Sequence, residues 1–389
     1  MKENGFVKFF IRLLSYVLVA VLAATITAGI CAKRYTKLDE LQALIDKCFV
    51  GDVTEKQLQD GAAAGMIDAT GDKWSFYLSA EEFVDYKDQM SNSYVGIGVS
   101  VTVREDGLGF DIISVDPAGG AKEAGIQAGD VIVAVDGLVV EGMNTNEAKA
   151  LIKGPENTSV AITVLREEEE LTMDVTRKTI QVVVAQGQLL EDGIGLVTIT
   201  NFDERCAQET IGAIEELVAQ GAQALIFDVR FNPGGYKHEL VEILDYLLPE
   251  GVLFRSVYYT GEEDQDTSDA ECLDLPMAVL INGSSYSAAE FFAAALEEYD
   301  WAVTVGEATV GKSYFQQTME LSDGSAVALS VGKYCTPNGV SLQDEGGLVP
   351  NIPVDLTEKE YLQLQAGELE ASKDPQVQAA VEALKKQMP

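Results

Sequence analysis

The sequence contains only one histidine in 389 residues, His238. Serine nucleophiles are most often activated by a histidine, so this scarcity leaves little room for serine–histidine chemistry. We interpret His238 as a surface residue of a helix. Cysteine is also scarce, and no CxxC pair or Cys/His cluster occurs, which argues against a zinc site and against a dense disulfide framework. The five cysteines are widely spaced: Cys31, Cys48, Cys206, Cys272 and Cys335.

Basic residues are few as well. The chain has 27 lysines and arginines against 63 aspartates and glutamates, giving a formal net charge of −36. Nucleic acids require a basic surface, so a nucleic-acid partner is not expected. We interpret the excess of acidic residues as a solvated acidic surface. The alternative is that these residues steer basic substrates towards the protein electrostatically.

One long uncharged segment occurs, the 20 residues Leu13–Ala32. A helix of that length spans a hydrocarbon core of about 30 Å. Basic residues flank it on both sides and do not decide its orientation. We predict that residues 1–35 are a cytoplasmic tail and signal-anchor of a single-pass cell-membrane protein, with the catalytic part extracytoplasmic. A cleaved signal peptide is the alternative, although no A-x-A cleavage site follows the apolar segment. Ile30, directly before Cys31, does not fit the cleavage motif of a lipoprotein.

Residues 36–92 are predicted to be helical, with Ser79-Ala-Glu-Glu82 as a capping box. Residues 93–178 change to strands and glycine turns, among them Val95–Val103, Gly109–Val115 and the hairpin Ser159–Leu165/Leu171–Thr176. Tyr94-Val-Gly-Ile-Gly98 and Gly125-Ile-Gln-Ala-Gly-Asp130 make this stretch resemble a PDZ domain. Backbone N–H groups of Val95, Gly96, Ile97 and Gly98 could then hold a peptide's terminal carboxylate while a strand edge pairs with the peptide.

Residues 179–356 alternate strands and helices, which predicts a parallel sheet within an α/β domain. The strands are Ile194–Ile199, Ala224–Val229 and Met277–Ile281; the helices are Cys206–Gln220, Glu239–Leu248 and Ser287–Glu298. The acidic segment Glu262–Glu271 is predicted to be an exposed loop. Residues 357–389 are predicted to form a helical tail that packs on a partner or on the N-terminal helices.

Ser287 begins a helix directly after a buried strand, where its hydroxyl and the N–H of Ala288 would face one space. Lys312 lies in an apolar stretch, and burial would lower the pKa of its amine enough for a general base. Gln316 could hydrogen-bond Lys312 and orient it. Gly234 or Gly235, in a turn after a buried strand, would supply a second oxyanion donor.

The ordered set of motifs resembles the carboxyl-terminal processing proteases, serine peptidase family S41. The residues that carry this resemblance are Asp72-Lys-Trp-Ser-Phe-Tyr-Leu78, Asp228-Val-Arg-Phe-Asn-Pro-Gly-Gly235, Ser287-Ala-Ala-Glu290, Gly306–Lys312 with Gln316, Lys333–Gly339 and Gly347–Pro350. The resemblance implies a crotonase-like αβ core, a PDZ domain and a Ser-Lys dyad. By it Ser287 is the nucleophile, Lys312 the base and Gln316 its orienter, with no metal or organic cofactor. Protein substrates with free C-termini are the implied partners; a homodimer is left open.

Three residues depart from the family pattern. Tyr286 stands where a small residue usually precedes the nucleophile, Ala289 replaces a serine, and Asn351 replaces an aspartate. Tyr286 could narrow the site and alter substrate preference. The alternative function is a membrane-tethered PDZ binding protein built on an inactive protease fold.

Overall fold

A computed structural model describes residues 5–104 and 106–388, which form two compact units, residues 1–71 and 72–389. The first unit consists of two helices, α1 (Gly5–Cys48) and α2 (Glu55–Asp68). Within α1, the 19 residues Phe9–Thr27 are long and apolar enough to cross a membrane, a test that a signal sequence would also meet. The first four residues of the predicted segment 1–35, and the side chains of residues 5–8 and 28–36, lie outside the described part.

The second unit begins with a short segment that joins the protease core. Strand β1 (Phe76–Leu78) pairs with a later strand, and helix α3 (Ala80–Met90) follows it. Ser79 accepts a hydrogen bond from the backbone of Glu82, whose carboxylate accepts one from Ser79, so the predicted capping box is confirmed.

The PDZ region contains a six-stranded antiparallel sheet and two helices, α4 (Gly120–Ala124) and α5 (Thr145–Ile152). The sheet order is β3-β4-β5-β7-β8; β6 pairs with β5, and β2 pairs with β9 where the chain enters and leaves the region. The strands are β2 (Ser93–Gly96), β3 (Val99–Val103), β4 (Phe110–Val115), β5 (Val131–Val135), β6 (Leu138–Val139), β7 (Ser159–Arg166), β8 (Glu169–Thr176) and β9 (Lys178–Gln181). The segment Val95–Val103 was predicted as a strand entered through a glycine turn; the left-handed backbone of Gly98 (φ 76°) forms the turn, but it divides the segment between β2 and β3.

The protease core contains a six-stranded sheet in the order β10-β11-β12-β15-β16-β19, parallel except for β10. Its strands are β10 (Ala185–Leu189), β11 (Ile194–Ile199), β12 (Ala224–Asp228), β15 (Met277–Ile281), β16 (Ala302–Gly306) and β19 (Ile352–Pro353). Helices α6 (Cys206–Ala219), α7 (Lys237–Leu247) and α8 (Ala288–Glu298) pack on one face around buried phenylalanines such as Phe227 and Phe292. The predicted parallel sheet is therefore confirmed.

A second, antiparallel sheet was not predicted. Its strand order is β1-β18-β13-β14, with β17 paired to β18. The new strands are β13 (Gly251–Tyr258), β14 (Glu263–Ser268), β17 (Tyr314–Glu320) and β18 (Ala326–Cys335). The predicted loop Glu262–Glu271 is wrong, because β14 lies in it. The backbone ladder with β13 holds this acidic segment extended although its side chains are mostly exposed.

The C-terminal segment contains α9 (Leu342–Glu345), α10 (Glu358–Gln365) and α11 (Pro375–Lys385). The predicted helical tail is corrected here, since α11 packs on the protease core, which the prediction did not include. Val377, Ala380 and Leu384 form one apolar face of α11, which covers the second face of the six-stranded sheet. The C-terminal helix is thus an integral part of the core.

Candidate active site

Ser287 occupies a strained turn between the end of β15 and the start of α8. Its backbone lies at φ 58° and ψ −126°, a conformation that residues other than glycine rarely adopt. The turn is fixed to the neighbouring loop after β12, where Ser285 Oγ donates to Val229 O and Asn282 Oδ1 accepts from Phe231 N. Strain of this kind, held by surrounding hydrogen bonds, is typical of strand-to-helix turns that expose a nucleophile.

A single buried carboxylate links the Ser287 turn to the Lys312 segment. Glu290 Oε2 accepts hydrogen bonds from Ser287 N at 2.9 Å and from Lys312 N at 2.8 Å. Its Oε1 accepts from Gly311 N at 2.6 Å and from the hydroxyl of Thr309. Burial raises the pKa of Glu290, and the four donors oppose that rise. Glu290 therefore fixes the two backbone segments relative to each other.

The amine of Lys312 lies among aromatic rings. Its Nζ is 4.8 Å from the ring centroid of Trp74 and 5.8 Å from that of Tyr286, and these two rings stack at 6.1 Å. Burial lowers the pKa of Lys312, while the charges of Glu290 and Asp72 act in the opposite direction. A larger neutral fraction at physiological pH suits a general base. Tyr286, the departure from the family pattern, thus forms part of the lysine's surroundings.

Gln316 does not contact Lys312 by a hydrogen bond in the described part of the chain. Its Nε2 donates to Tyr314 O and to Ser330 Oγ, each at 3.0 Å. Ser330 N in turn donates to Ser75 Oγ, which donates to Asp72 Oδ2 at 2.6 Å. The side chain of Ser330 also hydrogen-bonds Asp72, so Gln316 is linked to the surroundings of the lysine through Ser330 and Asp72.

The glycine turn after β12 lies directly against Ser287. A Cβ added to Gly234 would stand 2.7 Å from Ser287 Cβ and 2.8 Å from Ala288 N, so only glycine fits here. The N–H of Gly234 is occupied, since it donates to Asn232 Oδ1 at 2.8 Å. Across residues 5–104 and 106–388, the N–H of the exposed Gly235 has no hydrogen-bond acceptor. Gly235 is thus better placed than Gly234 to donate to a ligand.

The predicted PDZ loop is divided between a strand and a turn. Val95 and Gly96 pair with β9, whereas Ile97 is buried and its carbonyl accepts from Ala121 N at 2.9 Å. The backbone of Gly98 lies close to that of Gly119, because a Cβ added to Gly98 would lie 2.8 Å from Gly119 Cα. Strand β3, which follows, is an edge strand beside α5. This open edge could accept an extended peptide as an additional strand.

Sequence reasoning identified the motifs but not the roles of Glu290 and Trp74. Both residues lie in the segments that carried the family resemblance, yet their partners are distant in sequence. His238 is exposed, and its Nε2 lies 3.6 Å from Glu239. Among the described residues, no group of histidine, cysteine, aspartate and glutamate side chains is arranged to hold a metal ion.

Family models match three parts of the chain. Residues 193–354 match peptidase family S41, residues 112–166 match a PDZ domain, and residues 22–82 match the N-terminal domain of the activating protease CtpB. The PDZ match falls within the predicted range 93–178. The S41 match contains the serine, the lysine and the glycine turn described above.

Whole-chain relatives agree with these matches. The chain is 32% identical to the carboxy-terminal processing protease CtpA of Bacillus subtilis, covering 90% of this chain and 77% of the relative. It is 29% identical to a carboxyl-terminal-processing protease of Synechocystis, covering 82% of this chain and 75% of the relative. A putative S41 protease from Bacteroides fragilis has the same fold, with a TM-score of 0.51, 16% identity and coverage of 82% and 88% of the two chains.

Proposed function

This chain belongs to peptidase family S41 and is a carboxyl-terminal processing protease; from that premise we propose that it hydrolyses proteins through a Ser287–Lys312 dyad. The observation that carries this assignment is the shared carboxylate of Glu290, which accepts from the backbones of both residues. The lowered pKa of Lys312, caused by burial, adds the required base.

The proposed reaction has two stages. Neutral Lys312 Nζ takes the proton of the Ser287 hydroxyl as Oγ attacks the substrate carbonyl carbon. The resulting oxyanion accepts hydrogen bonds from Ala288 N and Gly235 N, and its collapse expels the amine, which takes the proton from Lys312. Water, deprotonated by Lys312, then attacks the acyl ester, and the proton returns to Ser287 as the new carboxylic acid leaves.

Gln316 supports this reaction as a positioning residue. Because its amide donates to Ser330, whose side chain hydrogen-bonds Asp72, its role is to fix the Asp72 carboxylate near the amine. Gln316→Ala should therefore lower kcat less than Lys312→Ala does. Equal losses in the two variants would indicate a direct contact during turnover.

The PDZ region, residues 93–178, would bind the free C-termini of substrates along β3, with Val95, Gly96, Ile97 and Gly98 near the terminal carboxylate. Its position between paired strands β2 and β9 supports an insertion into the protease. A peptide with a free C-terminus should bind the full chain more tightly than its amidated form. Equal affinities would contradict recognition of the carboxylate.

The N-terminal helix would serve as a signal-anchor that places the remainder outside the cytoplasm. Phe9–Thr27 supports this by length and composition. In cells, the protein should remain with membranes after an alkaline wash, and external protease should digest the part after residue 35. Release by the wash would instead favour a cleaved signal peptide.

Cleavage of casein by the wild type, Ser287→Ala and Lys312→Ala tests the dyad. Each variant should lose at least about a thousandfold in rate, as removal of a nucleophile or its base does in comparable enzymes. Gly283→Ala is a matched control, because a Cβ there meets only Ala308 O at 3.8 Å. Variants that cut as fast as the wild type would contradict the dyad, whereas a wild type that binds C-termini but never cuts would favour the inactive binding protein.

A further inference from the structure

Asp203 lies beside the glycine turn of the active site but takes no part in the reaction described above. A Cβ added to Gly235 would stand 2.3 Å from Phe202 C and 2.7 Å from Asp203 N. The backbone of Asp203 therefore touches the residue proposed as the second oxyanion donor. Asp203 is only 6% exposed.

Within the described residues, no basic side chain forms an ion pair with this carboxylate. In the described part of the chain, Asp203 Oδ1 is buried and has no hydrogen-bond partner. The nearest basic residue in sequence, Arg205, is engaged elsewhere, with Asn92 O at 2.8 Å, Val182 O at 2.7 Å and Glu209 at 3.1 Å. A buried acceptor without a partner is costly, so its presence calls for a ligand from outside.

The neighbours of Asp203 increase this cost. Burial raises the pKa of Asp203 to about 7, and the charges of Glu239 and Glu204 contribute to the rise. Glu239 is itself satisfied, since it accepts from Arg205 N at 3.1 Å and Ala207 N at 2.7 Å. A cation entering this space would relieve the repulsion among three acidic groups.

The charge of Asp203 acts on three tyrosines. Burial raises the pKa of Tyr86, Tyr236 and Tyr286, and the charge of Asp203 adds to the rise for each. All three are only partly buried, so their rings can contact a substrate. Tyrosine faces attract cations and pack against the aliphatic part of lysine and arginine side chains. Tyr286 also precedes Ser287, which places this space next to the cleaved bond.

We propose that Asp203, together with Tyr86, Tyr236 and Tyr286, forms a subsite that binds a lysine or arginine side chain of the substrate near the cleaved bond. This inference rests on the proposed proteolysis at Ser287. The carboxylate pairs with the ammonium or guanidinium group while the rings enclose the alkyl chain. The surplus of acidic residues on the whole chain would assist the arrival of such substrates.

Cleavage-site mapping of casein by mass spectrometry tests the subsite. Wild-type sites should be enriched in lysine or arginine at one fixed position relative to the cut bond. The isosteric variant Asp203→Asn should still cut but lose that enrichment, whereas Glu216→Gln, which removes a charge from the exposed face of α6, should retain it. Sites without a fixed basic position, or unchanged enrichment in Asp203→Asn, would overturn the subsite. No cutting by the wild type would instead overturn the proposed proteolysis.

The pH dependence of this preference provides a measurement on the unaltered protein. For two peptides that differ only by lysine or norleucine at that position, the kcat/KM ratio should rise with pH as Asp203 ionises, by up to about tenfold from pH 6 to 8. The groups around Asp203 are Glu204, Glu239, Cys206, Arg205 and the three tyrosines, and exposed His238 adjoins Glu239. His238→Asn should leave the rise of the ratio with pH unchanged, because the rise is assigned to Asp203. Loss of the rise in this variant, or a ratio that does not change with pH in the wild type, would contradict the assignment.

Discussion

Ser287 and Lys312 donate their backbone N–H groups to the same oxygen atom, Oε2 of Glu290, at 2.9 and 2.8 Å. Two residues from separate segments of the chain thereby share one buried hydrogen-bond acceptor. Glu290 thus fixes the distance between the two backbone segments that carry the hydroxyl and the amine.

Glu290→Gln should lower kcat by about 10- to 100-fold with little change in KM. An amide presents an NH₂ group to two of the four donors, and each unsatisfied buried N–H costs about 1–3 kcal/mol. Steady-state kinetics on a peptide substrate measures the change. Thr309→Val removes the hydroxyl donor to Oε1 and the acceptor of Leu348 N, but it leaves both hydrogen bonds to Oε2 and should reduce kcat less. A larger loss in Thr309→Val would show that Oε2 is not the important atom.

Gly234→Ala should abolish activity. The new Cβ would overlap Ser287 Cβ and Ala288 N, and the backbone at φ 89° disfavours alanine. Covalent labelling of Ser287 by a fluorophosphonate probe measures the state of the nucleophile. Gly283→Ala lies in the same loop as Ser287 with open space around it and should label normally. Normal labelling of Gly234→Ala would contradict the close approach.

Activity should rise with pH through the pKa of Lys312, because only the neutral amine can accept the serine proton. Burial lowers that pKa, so the midpoint of kcat/KM should lie below the ordinary value of about 10.4. Trp74→Ala admits water to the amine and should move the midpoint upward, whereas Trp74→Phe keeps a ring in place and should move it less. A midpoint that is identical in all three proteins would exclude Trp74 from the lysine's environment.

Asp374→Asn should destabilise the second unit by about 3–5 kcal/mol, as expected when one partner of a buried ion pair is removed. Arg230, whose side chain is 3% exposed, contacts Asp228, Asp374 and Gln376. Urea unfolding followed by tryptophan fluorescence measures the loss. Lys373→Ala breaks only an exposed pair with Glu370 and should leave the midpoint unchanged. Equal midpoints for the two variants would contradict a structural role for the Arg230 pair.

The sequence predicted the bounds of strands correctly where a buried strand is apolar along its whole length. Met277–Ile281 and Ile194–Ile199 are strands with the predicted bounds, since strands covered on both faces carry apolar residues throughout. Strand β14 could not be predicted, because its acidic side chains are exposed and only the ladder with β13 keeps it extended.

The site itself was predictable in part. Ser287, Lys312 and the glycine turn follow strand ends, and the topology of a parallel sheet brings such ends to one edge. The choice between Gly234 and Gly235 depends on one hydrogen bond to Asn232, which no sequence pattern reveals. The position of Trp74 depends on the pairing of β1 with β18, a strand that is distant in sequence and was not predicted.

The contact between Arg230 and α11 joins residues 144 positions apart and fixes the loop that carries the glycine turn. During synthesis, Asp374 and Gln376 are added 144 and 146 residues after Arg230. Before that point, the loop that carries the glycine turn lacks these contacts, so an incomplete chain is expected to be inactive as a protease. Proteolytic activity would thus appear only after residues 374–376 have been synthesised and have packed against Arg230.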